Sequence, residues 1–60
     1  MPVVHIHMYK GKTREQKKEL VRRITRDFGE VVNVKPESLH ILFQDIGKED
    51  WGTRGTLASE

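Results

Sequence analysis

The sequence predicts a small α/β protein: a single βαβ unit with parallel strands and a short C-terminal hairpin or tail. Three observations predict it. Residues 3–9 and 39–45 alternate apolar and polar side chains, the period of a strand. Residues 14–32 between them repeat apolar side chains at helical spacing. The 60 residues leave room for one domain, 1–60, and no second.

The first strand, VVHIHMY, is rich in β-branched residues and ends before Gly11. Val4, Ile6 and Met8 fall on one face, and Val3, His5, His7 and Tyr9 on the other. Thr13 stands at the N-cap position of the helix, with Gln16 three residues on, a capping box. Leu20, Val21, Ile24, Phe28, Val31 and Val32 form the apolar stripe. Gly29 weakens the last turns, and Asn33 fits a left-handed cap. Pro36 then bars continuation of the helix, so Val34 to Ser38 reads as a turn. In the second strand Leu39, Ile41 and Phe43 share one face, and His40, Leu42 and Gln44 the other. A strand, a helix and a strand in this order call for a right-handed crossover and parallel pairing. The Gly-rich end, GKEDWGTRGTLASE, suits a short hairpin or a clasp onto a neighbouring subunit.

Composition narrows the partners. Hydrophobic residues make up 35% and charged residues 33%, so the core is lean. Ordering costs about 1.5 kcal/mol per residue, and a chain this short barely offsets it alone. There is no Cys, which removes disulfides and thiolate metal sites. Self-association is the remaining support. The sheet face carrying Val3, His5, His7, Leu42 and Gln44 has no helix over it, and a second copy is the expected cover. No apolar run is long enough to cross a membrane, and no signal peptide is read at the start. A cytoplasmic location is expected. Eleven basic residues against nine acidic give a net charge of +2. That accommodates a small anion and makes no case for nucleic acid. A strand-type DNA reader would also need a second helix where a second strand follows.

Pro2 carries the sharpest chemical expectation. Removal of Met1 would expose a secondary amine at the start of a strand. A free α-amine titrates near 7.7–8.0, and desolvation or nearby cations lower that value. A base poised near neutrality suits general acid–base catalysis. The plainer alternative is that Pro is simply well tolerated at a strand's first residue. His5, His7 and His40 share a sheet face and permit a zinc reading. Packed or hydrogen-bonded interface imidazoles are the stronger reading, and no metal or cofactor is expected.

The opening MPVVHIHMYKGKTREQKKELV resembles the 4-oxalocrotonate tautomerase family. The matching residues are Pro2, Ile6, His7, Gly11, Lys12, Glu15, Gln16 and Lys17, followed by the tail Trp51 to Ser59 (WGTRGTLAS). The resemblance spans the whole chain. It implies a tautomerase-like fold assembled as a homohexamer, a trimer of dimers, with sites built from neighbouring chains. It implies that Pro2 is the general base moving a proton within a small unsaturated keto or enol acid. It makes Lys12, His40 and Trp51 the substrate-binding residues. Three positions depart from the family pattern. Lys12 stands where Arg is usual and keeps the charge without the bidentate fork. His40 replaces a second Arg and is a conditional cation. Trp51 replaces the usual Phe as pocket wall. Arg54, where the tail pattern often has Gly, reads as a solvated surface residue. The first expectation is a keto–enol tautomerase acting on a small carboxylate. The alternatives are a related Pro2-dependent hydratase, dehalogenase or decarboxylase, or a non-catalytic oligomer.

Overall fold

The computed structural model describes all 60 residues. In chain order it contains β1 (Val3–Tyr9), α1 (Arg14–Val32), β2 (His40–Ile46), β3 (Gly52–Thr53) and β4 (Thr56–Leu57). Short 3-10 turns at Pro36–Ser38 and Lys48–Asp50 flank β2. β1 and β2 pair in parallel, with Val3 opposite His40 and Tyr9 opposite Ile46. Backbone bonds extend this ladder at both ends: His40 N–H donates to the Pro2 carbonyl at 3.1 Å, and Lys10 N–H to the Ile46 carbonyl at 3.0 Å. β3 and β4 form the antiparallel C-terminal hairpin. The βαβ architecture read from the sequence is therefore present.

The helix starts as its cap dictates. The Thr13 hydroxyl accepts from Gln16 N–H at 3.0 Å, and Thr13 N–H donates to Gln16 Oε1 at 2.9 Å. At the other end Asn33 adopts φ 58, and Val34 N–H reaches the Phe28 carbonyl at 3.3 Å. Val21, Ile24 and Phe28 are half-buried, whereas Leu20, Val31 and Val32 are exposed, Val31 by 79%. The expected apolar stripe is thus only partly covered. Two strands make a sheet too narrow to meet all of it.

The second strand begins one residue later than its alternation suggested. Leu39 belongs to the preceding turn, its N–H donating to the Pro36 carbonyl at 3.3 Å. Ile46 joins the strand because Tyr9 offers it a partner. The register sets Val4, Ile6 and Met8 beside Ile41, Phe43 and Asp45, on the side of α1. The opposite face presents Val3, His5, His7, His40, Leu42 and Gln44, all exposed. In the hairpin, Arg54 (φ 57) and Gly55 (φ 83) occupy the two turn positions. Positive φ at both is what a tight two-residue hairpin turn requires. Arg54 is exposed there.

No hydrophobic residue is fully buried, and the one buried residue is Gly47. The radius of gyration is 14.4 Å, against about 10 Å for a compact domain of this length. The accessible surface is 4938 Å², roughly 900 Å² more than a compact monomer of 7.0 kDa exposes. That excess is close to the ~800 Å² that one partner buries in an ordinary stable interface. The single chain has the shape of a piece of a larger body. No helix is long and apolar enough to cross a membrane.

Candidate active site

The four residues singled out by the sequence lie at the two ends of the parallel sheet. Pro2 and His40 mark one end. Pro2 is half-buried just ahead of β1, and its carbonyl is held by His40 N–H at 3.1 Å. That bond ties Pro2 to the start of the parallel ladder. His40 opens β2 opposite Val3, and its side chain is exposed on the open face.

Lys12 and Trp51 mark the other end. Just beyond β1, Gly11 turns the chain at φ 121, a conformation open to glycine and strained for other residues. That bend carries Lys12 off β1 and towards the start of α1. There Lys12 lines a groove of about 160 Å³ with Met8, Gln16, Lys17 and Leu20. Trp51 follows the second 3-10 turn, and its carbonyl accepts from Ala58 N–H at 2.8 Å, so the hairpin holds it. Its ring meets Tyr9 edge-on, with centroids 4.7 Å apart and planes at 65°. Lys48 Nζ lies 5.5 Å from the centroid of the Tyr9 ring.

β1 is seven residues long, so at ~3.3 Å per residue its two ends are about 20 Å apart. One chain therefore brings Pro2 close to His40 and leaves both remote from Lys12 and Trp51. No group of three His, Cys, Asp or Glu side chains converges in a metal-binding arrangement.

Three residues outside the set of candidate site residues matter here. Asp45 occupies the helix side of β2 beside Met8. Lys17 meets it, with Nζ 2.5 Å from Asp45 Oδ2 and 5.8 Å from the centroid of the Phe43 ring. Tyr9 supports Trp51. The signal for the first pair was available: Asp45 follows Ile41 and Phe43 at period two, and a carboxylate on an apolar face needs a partner. Along α1, Glu19 bonds Arg22 and Arg23, the latter at 2.7 Å. Those two side-chain bonds hold its carboxyl down at about 2.

The features above define a small βαβ protein with a proline at one end of its sheet and no core of its own. A family model described as tautomerase enzyme matches residues 2–60. The 2-hydroxymuconate tautomerase of Comamonas testosteroni is 35% identical over 60 residues, covering 100% of this chain and 95% of that protein. That of Pseudomonas putida is 30% identical, with 100% and 95% covered. Among solved structures, a 4-oxalocrotonate tautomerase isozyme from Methylibium petroleiphilum superposes with TM-score 0.87 at 31% identity, covering 97% of this chain and 94% of that one. YwhB, a homologue of 4-oxalocrotonate tautomerase, superposes with TM-score 0.92 at 27% identity, covering 98% and 97%. The chain belongs to the tautomerase family, with 4-oxalocrotonate and 2-hydroxymuconate tautomerases among its full-length relatives.

Proposed function

We propose that the protein is an isomerase interconverting the keto and enol forms of a small unsaturated 2-oxo or 2-hydroxy acid, with Pro2 as general base. The observation that carries this reading is the placement of Pro2. Its carbonyl accepts from His40 N–H at 3.1 Å, which ties Pro2 to the start of the parallel ladder. With Met1 removed, the Pro2 nitrogen is a neutral secondary amine with a free lone pair. It takes a proton from the acid's enol hydroxyl, or from a carbon beside its carbonyl. The electron pair left behind spreads over the conjugated enolate. The resulting ammonium then returns the proton to a different carbon, so the amine is regenerated and no group is gained or lost.

Lys12 serves this chemistry as a fixed positive charge for the carboxylate and for the developing enolate. His40 donates to the same anion when protonated. Trp51 and its partner Tyr9 exclude water, and lower polarity keeps the amine neutral. Because the two sheet ends are about 20 Å apart in one chain, the site is completed by neighbouring copies. The uncovered sheet face, the absent core and the surplus surface support assembly. The assembly we propose is a homohexamer, a trimer of dimers.

Intact mass of the purified protein and an ultraviolet assay of enol-to-keto conversion test this together. The mass is expected to lack Met1. Pro2→Ala is expected to lower kcat/KM about 100-fold or more. Retention of Met1 in the active protein, or equal rates for the two proteins, would contradict the assignment.

A further inference from the structure

The groove beside Lys12 offers one uncommitted positive charge. Of the two lysines that line it, Lys17 is neutralised by Asp45, its Nζ 2.5 Å from Oδ2. Gln16 Oε1 is occupied by the Thr13 N–H at 2.9 Å. Lys12 has no carboxylate within ion-pair distance. The remaining walls, Met8 and Leu20, are apolar. Nearby, Lys48 is set over the Tyr9 ring rather than in the groove. At the Pro2 end, His40 is the only cationic candidate among the site residues, and an imidazole is not a fixed charge.

We infer that the protein selects a monocarboxylate: one carboxylate paired with Lys12, and an apolar remainder lying along Met8 and Leu20. This rests on the reading of the site proposed above. A substrate with carboxylates at both ends, such as the 2-hydroxymuconate for which relatives are named, would place its second charge at the Pro2 end, where His40 is the only cationic candidate among the site residues. An unpaired carboxylate taken out of water is strongly disfavoured. The selection therefore works by rejecting the second charge as much as by attracting the first.

Two inert six-carbon acids isolate the difference. Hexa-2,4-dienoate ends in a methyl group, and hexa-2,4-dienedioate replaces that methyl with a second carboxylate. Calorimetric titration of the assembled wild-type protein with each, at ~0.15 M salt to damp long-range attraction, is expected to show the monoacid binding about tenfold more tightly. Lys12→Ala is expected to abolish that binding, and His40→Arg to narrow the gap by strengthening the diacid. Equal or tighter binding of the diacid by wild type would overturn the inference. So would no binding of either acid, or monoacid affinity unchanged in Lys12→Ala. The same preference is expected in Pro2→Ala. Binding therefore reports on the charge of the groove, and turnover by wild type against Pro2→Ala reports separately on the general base.

Discussion

At the scale of single residues, the sequence offers candidates for the chemistry and says little of their geometry. Pro2 stands out by the chemistry of an amine at a strand's start, whereas Lys12, His40 and Trp51 are implied only by the family resemblance. Their separation into two pairs at opposite sheet ends follows from strand length and register, which no single residue type encodes. The Lys17–Asp45 pair is not legible from the apolar alternation, because Asp45 breaks that pattern on the helix side. Glu19 gives a quantitative check at this scale. Its carboxyl is lowered from 4.5 to about 2 by bonds to Arg22 and Arg23. A lowered value means the contribution to helix stability is fully present above 4.5 and fades as pH falls towards 2. Because the pair is solvent-exposed, the effect is small and salt-sensitive. A carbon-detected titration of the Glu19 carboxyl is expected to give a midpoint well below the usual carboxylate range, rising when salt is added. A midpoint near 4.5 at low salt would contradict the contacts described.

At the scale of elements, the capping box and the left-handed Asn33 placed the helix correctly at both ends. Local signals of that kind involve residues within one turn, so a sequence carries them intact. The start of β2 was less legible, because whether Leu39 or Ile46 joins the strand depends on which residue finds a partner on β1. The hairpin offers a test of a local conflict. Arg54 holds φ 57, and a non-glycine residue there carries a cost of about 1 kcal/mol or more. Arg54→Gly relieves it, so thermal unfolding at fixed protomer concentration is expected to shift upward. A lowered midpoint would mean that the Arg54 side chain makes a stabilising contact outside the single chain. Gly29 is the complementary case. It lies within α1, and an added Cβ would meet the Val34 carbonyl at 3.5 Å, an ordinary contact. Gly29→Ala is expected to stabilise the protein by about 0.5–1 kcal/mol through helix propensity, read by denaturant unfolding.

At the scale of the whole molecule, shortness of chain and position of the site have one physical origin. Sixty residues give one helix and a two-stranded sheet. That sheet leaves one face open, buries no hydrophobic residue completely, and spreads the chain over 42 × 23 × 15 Å. The need for a partner was legible from length and the absent second helix, whereas the number of partners is set by surfaces that form only on assembly. The same shortness keeps Pro2 from reaching Lys12 within its own chain. The central claim is that copies share the site, and mixing two inactive variants tests it most directly. Pro2→Ala and Lys12→Ala are unfolded together, refolded as mixed oligomers, and assayed for isomerisation. If the site is shared, some sites combine an intact Pro2 from one chain with an intact Lys12 from another. Activity should then return to about one quarter of wild type at equal mixing. Mixed oligomers no more active than the two parents would place Pro2 and Lys12 in the same chain's site and contradict the account.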